Sequence, residues 1–154
     1  MYDESLKALN ARGVTIEDIV ECTYFLQKNY LKDLNKKDIY DCVIAILKKR
    51  EVQNVVLTGI NFDIACEKRI LDSKNLEQII LNDSSLYGVD EVLAYGICNL
   101  YGSIALTNFG YIDRVKPGII GELNAEHKSI CNTFLDDIVG AIAASAASLL
   151  AHGD

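Results

Sequence analysis

Five carboxylates fall in three tight groups of the sequence: Asp90 with Glu91, Asp113, and Asp136 with Asp137. Each pair belongs to the first turn of an expected helix, where acids stabilise the helix dipole by about 0.3–1 kcal/mol each. Dipole compensation is therefore one reading of the pairs. Their neighbours favour another. Asp90-Glu91 is followed at once by Val92-Leu93-Ala94, and Asp136-Asp137 by the apolar run from Ile138 to Ala144. On a helix buried on most sides, at least one carboxylate of a pair points inward. Burying it unpaired is expensive, and several together raise one another's pKa. A divalent cation resolves both problems. Carboxylate oxygens with water suit Mg²⁺, which keeps part of its shell for a substrate phosphate. Lys116, three residues after Asp113, offers a phosphate contact. Its other reading is a solvated lysine near a helix C-terminus.

Other candidates carry less. Thr58, Gly59 and Asp63 share one face of an expected helix. They either approach the site or pack the helix closely at Gly59. His127 and His152 are isolated, with no Ser or Cys partner at a triad spacing. Gly102 and Gly110 form no phosphate loop. Cysteines stand at 22, 42, 66, 98 and 131, none paired as C-x-x-C. That pattern reads as reduced, mostly buried thiols of a cytoplasmic protein.

The elements that must hold these residues are helical. One proline in 154 residues, with abundant Leu, Ile, Ala, Lys and Glu, favours long helices. The expected fold is all-α, one compact multi-helix domain over residues 1–154. Thr15 and Asp18 resemble a capping box ahead of a helix to Lys28. Asn35 caps a second helix, with Lys48, Lys49 and Arg50 in its last turn. Glu51 to Ile70 and Asn75 to Leu81 follow as helices. Val89 to Leu100 and Ser103 to Ile112 are helical on either side of Gly102. Were this one unbroken helix, Asp90 and Asp113 would stand about 35 Å apart at 1.5 Å per residue. A turn at Gly102-Ser103 makes a helical hairpin that returns Asp113 to the end where Asp90 sits. Ile119 to Asn132 reads as a polar connection with a helical turn. Asn132 or Thr133 caps a buried, Ala-rich C-terminal helix to Ala151. Its stripe of Gly140, Ala143, Ala144, Ala147 and Ala151 suits either a central helix or an oligomer seam.

Half of the residues are hydrophobic, and 22 acids outnumber 15 bases for a formal charge of -7. That balance disfavours nucleic acid and general attraction to an anionic membrane surface. The longest apolar run, Ile138 to Ala151, falls short of the roughly 20 residues a membrane span needs. The N-terminal segment has no apolar core of a signal peptide. A cytoplasmic protein, at most peripheral at the membrane, is expected.

Three segments resemble the phosphatidylglycerophosphatase A family in content and order. They are Val89-Asp90-Glu91; Phe109, Asp113, Lys116 and Pro117; and Asp136-Asp137-Ile138-Val139-Gly140-Ala141. Thr58-Gly59 also resembles a T-G element of that family. The resemblance, strongest over residues 84–150, implies a Mg²⁺-dependent phosphatase that converts phosphatidylglycerophosphate to phosphatidylglycerol. It implies that Asp90, Glu91, Asp113, Asp136 and Asp137 are catalytic, with Asp90, Glu91, Asp113 and Asp137 as metal ligands. Lys116 and Thr58 would contact the substrate, a phosphorylated lipid or small phosphomonoester. Many family members are integral to membranes, whereas this chain resembles a shorter branch without a span.

Two further readings stand beside this one. All-α nucleotide pyrophosphohydrolases also bind Mg²⁺ through acidic clusters, although their E-x-x-E pattern is not visible here. A non-enzymatic helical module would use the acids as caps and the Ala-rich helix as a homo-oligomer seam. It predicts carboxylates scattered over the surface.

Overall fold

The computed structural model describes residues 1–125 and 129–152, so His127 lies outside the described residues. Among those described, the chain forms nine α-helices and no strand. They are α1 (Tyr2–Ala11), α2 (Ile16–Gln27), α3 (Lys36–Leu47), α4 (Arg50–Glu67), α5 (Lys74–Leu81), α6 (Val89–Cys98), α7 (Ser103–Val115), α8 (Ile119–Ala125) and α9 (Leu135–Ala151).

Local signals explain several boundaries. Thr15 accepts the Asp18 N–H, and Asp18 accepts the Thr15 N–H, closing the expected capping box. Asn35 caps α3 by accepting the Asp38 N–H at 2.9 Å. Gly102 adopts φ 96 ahead of α7, a left-handed conformation that suits glycine, and the chain reverses there into the expected hairpin. Three boundaries differ from expectation. The segment Lys48-Lys49-Arg50 does not close α3: Lys48 and Lys49 form the corner and Arg50 opens α4. The N-terminal segment, given no helix above, forms α1. The connection after Pro117 holds a helix of its own, α8.

Helix α9 is the axis of the molecule. It packs against α2, α3, α4, α6, α7 and α8, and every residue from Leu135 to Ser148 is buried within the one chain. Its small side chains thus serve a central helix, and backbones approach it closely. At Gly59 on α4, a Cβ would collide with Ile138 and stand 3.2 Å from the Phe134 Cβ. At Gly140 on α9, a Cβ would stand 3.4 Å from Ile112 on α7. Removing this apolar surface from water, at roughly 25 cal/mol per Å², is the main source of stability. All five cysteines are free, and all but Cys42 are buried. Among the described residues no helix is long and apolar enough to cross a membrane.

Candidate functional site

Helices α6, α7 and α9 bring the three acidic groups together. Asp90 and Glu91 stand in the first turn of α6, Asp136 and Asp137 in the first turn of α9, and Asp113 in the last turn of α7. All five line one open cavity of about 200 Å³ with Lys116. The other walls are the loop from Asp83 to Gly88, and Asn124 of α8. The hairpin at Gly102 is what makes this possible, because it turns the end of α7 back to the start of α6. Scattered surface carboxylates, expected of a non-enzymatic module, are not what the fold produces.

The electrostatics are those of crowded carboxylates. Asp90, Asp136 and Asp137 are buried. The Asp137 carboxyl lies in hydrogen-bonding reach of both Asp113 and Asp90. Burial and the neighbouring Asp136 push its pKa far above the usual carboxylate range. Asp136 is raised as well, by burial, with Lys116 opposing. Glu91 is raised by burial and by Asp90. Against these acids the described residues of the cavity include one lysine. Lys116 donates from Nζ to Asp113 Oδ1 at 3.1 Å and to Asp136 Oδ2 at 3.5 Å. Burial works against its charge, but Asp136 and Asp113 outweigh it and hold its pKa above the ordinary lysine value. Lys116 also ends α7 in a left-handed conformation, φ 54, immediately before Pro117. That conformation costs a non-glycine residue of order 1 kcal/mol or more, a common sign of a functional position.

Among the described residues, no three His, Cys, Asp or Glu side chains are arranged around one point as ready-made metal ligands. The described lining nonetheless has the chemistry of a hard-cation site: carboxylate oxygens and, among the described residues, neither imidazole nor thiolate. Carboxyls whose pKa values are raised by burial and by their acidic neighbours are groups a divalent cation would relieve.

The rest of the architecture holds the start of α9 in place. Asp63 on α4 accepts the N–H of Phe134 at 3.0 Å and of Leu135 at 3.1 Å. This corrects the expected cap. Asn132 donates its side-chain amide to Leu123 O, and the Thr133 hydroxyl donates to Ile80 O. Neither caps α9, so its orphan N–H groups turn to a carboxylate from another helix. Burial pushes the Asp63 carboxyl up, to about 7, against the pull of those two backbone bonds. Arg12 secures the segment before α9. It pairs with Glu67 and donates to Cys131 O at 2.7 Å and Asn132 Oδ1 at 3.2 Å. Phe134 is wedged between Phe62, centroid to centroid 5.5 Å, and Tyr87, 5.9 Å edge-on.

Thr58 does not join the cavity. It is exposed on α4, while its neighbour Gly59 faces α9. Asp63 acts from behind the site rather than in it. His152 caps the opposite end of α9, its Nδ1 2.8 Å from Ser148 O. Asp83 and Asn124 line the cavity without having stood out in the sequence. Their only signal was proximity to the α5–α6 connection and to the Lys-Pro segment.

Known proteins agree with this architecture. The phosphatidylglycerophosphatase A family model matches residues 14–152. The uncharacterized protein YutG of Bacillus subtilis is 53% identical over 144 residues, covering 94% of this chain and 86% of that protein. A protein of unknown function from Bacillus stearothermophilus superposes with a TM-score of 0.95 at 51% identity, covering 99% of this chain and 94% of that one. The low temperature requirement C protein from Listeria monocytogenes gives 0.94 at 53% identity, covering 98% and 94%. With the match spanning α2 to α9 and every acidic group of the cavity inside it, the chain belongs to the phosphatidylglycerophosphatase A family.

Proposed function

We propose that this protein is a Mg²⁺-dependent phosphatase that hydrolyses the phosphomonoester of phosphatidylglycerophosphate, leaving phosphatidylglycerol. The observation that carries the reading is the meeting of Asp90, Glu91, Asp113, Asp136, Asp137 and Lys116, from three helices, in one small cavity. Family membership supplies the substrate class.

Asp90, Glu91, Asp113 and Asp137 would hold the cation. When bound, it supplies positive charge to the phosphate oxygens and to the water that attacks phosphorus. The chain's own residues do the rest. Lys116 presents its ammonium to the phosphate, where negative charge grows as the P–O bond breaks. Asp113 and Asp136 fix that ammonium in place. Asp63 and Arg12 hold the segment from which Asp136 and Asp137 project. At about 200 Å³ the cavity is smaller than the roughly 300–1,000 Å³ of drug-sized ligand sites. It suits a phosphate with its glycerol and leaves acyl chains outside.

The test is phosphate release from phosphatidylglycerophosphate with and without Mg²⁺, in the wild type and in Asp90→Asn and Asp137→Asn. Release that needs Mg²⁺ and is lost in both variants supports the reading. Pyrophosphate release from nucleoside triphosphates, with none from the lipid, would replace it.

A further inference from the structure

The α6–α7 hairpin is an unusual surface for this protein. A quarter of the chain is charged, 24%, yet no residue from Val92 to Ile112 carries a charge. Both helices pack their inner sides on α9. Their outer sides expose Val89 and Val92 on α6, Leu100 in the turn, and Leu106, Tyr111 and Val115 on α7. Val92 is 65% exposed. Leu86 stands at the cavity wall beside α6, fully exposed and held at φ 68. A branched side chain in that conformation costs backbone strain and gains no packing here, which marks a position kept for something outside the fold.

We propose that this uncharged hairpin face, with Leu86 at its cavity end, is a lipid-docking surface that lies against a bilayer holding the substrate. The proposal rests on the phosphatase reading, and three observations choose the occupant. The polar cavity leaves no room for acyl chains, so the chains of a bound phospholipid must run along the surface around its mouth. That surface begins with Leu86 and Val89. Charge points the same way. In a chain of formal charge -7, the hairpin face is cleared of acids that an anionic bilayer would repel. Asp113 and Glu91 at its base belong to the cavity, and the neighbouring Arg114 is exposed and cationic. Finally, a second copy covering this face would also cover Leu86, and with it one wall of the cavity entrance.

The experiment is co-sedimentation of the full chain with vesicles of phosphatidylcholine and phosphatidylglycerol, which contain no substrate. The probe variant is the neutral double change Val92→Gln/Leu106→Gln. Ile70→Gln, at an exposed apolar residue outside the hairpin, is the control. In parallel, all three are assayed on water-soluble p-nitrophenyl phosphate. The wild type and Ile70→Gln should pellet with vesicles, and the double variant should lose at least about tenfold in partitioning. Its hydrolysis of the soluble ester should be unchanged. Equal pelleting of wild type and double variant would overturn the proposal, as would a wild type that stays in the supernatant. So would a double variant that binds vesicles normally but turns a dimer into a monomer on size exclusion, which would make the face a self-association seam. Because the vesicles carry no substrate, docking without phosphate release would keep this proposal and remove the phosphatase reading.

Discussion

The Asp63 carboxylate on α4 accepts the N–H of Leu135, the first residue of α9, at 3.1 Å, across 72 positions of sequence. The same carboxylate takes the Phe134 N–H. The helix that delivers Asp136 and Asp137 to the cavity is therefore started by a residue of a different helix. A doubly bonded carboxylate at a helix N-terminus supplies both hydrogen bonds and a favourable interaction with the dipole.

That placement has a pH signature. Burial pushes Asp63 up to about 7 in the folded protein, whereas an aspartate in an unfolded chain titrates near 3.9. The folded state thus binds the extra proton between those values. The contribution of Asp63 is fully present below about pH 4 and is lost as pH rises through about 7, with a slope of roughly 1.4 kcal/mol per pH unit at most. Urea unfolding from pH 4 to 8 should show this slope in the wild type. In Asp63→Asn, which cannot ionise, the slope should be shallower. Parallel profiles for the two proteins would show that Asp63 keeps an ordinary pKa.

The close crossing of α4 and α9 makes Gly59 a packing position. Gly59→Ala should destabilise by about 1–3 kcal/mol, because its methyl meets Ile138 and Phe134 in a filled core. Gly96→Ala, where nothing lies within 4 Å, should be neutral or stabilising on an exposed helix face. Chemical denaturation compares them directly.

Lys116 is a cation in a cavity crowded with acids, so removing it should act on substrate more than on the fold. Lys116→Ala should lower kcat/KM for phosphomonoesters by about tenfold to a hundredfold, the loss of one charge-assisted contact of about 1.5–3 kcal/mol. Lys116→Arg should recover part of this. Steady-state kinetics at saturating Mg²⁺ measures both.

Much of this site was legible in the sequence, and the reason is local. The pairs Asp90-Glu91 and Asp136-Asp137 sit beside apolar runs, and Gly102-Ser103 carries its own turn chemistry, so the hairpin and the convergence of acids follow from neighbouring residues. The caps at Thr15 and Asn35 were legible for the same reason. What escaped is what depends on distant partners. Asp63 on α4 and Arg12, just past the end of α1, reach the segment before α9 at separations of 71 to 120 residues. A sequence that places Asn132 and Thr133 just before a helix suggests a local cap, yet both are claimed by other helices. Thr58 shares a helix with Gly59 and Asp63, but the Gly59 face is turned to α9 and Thr58 is left at the surface.

Crowded carboxylates also imply a conflict between stability and function. Asp137 has a raised pKa because of burial and the nearby acids. In EDTA, Asp137→Asn should therefore be more stable than the wild type, by about 0.5–2 kcal/mol, the usual gain from relieving a strained functional position. Thermal unfolding with chelator should show the higher Tm, and excess Mg²⁺ should narrow the gap by stabilising the wild type alone.

The most direct measurement is phosphate release from phosphatidylglycerophosphate by the purified chain, titrated with Mg²⁺, for the wild type, Asp90→Asn and Asp137→Asn. The expected result is release that rises with Mg²⁺ in the wild type and falls by at least about a hundredfold in each variant, the scale of losing a group that stabilises transition-state charge. Full activity in both variants, or wild-type activity indifferent to Mg²⁺ and chelator, would contradict the assignment of this cavity as a metal-dependent phosphatase site.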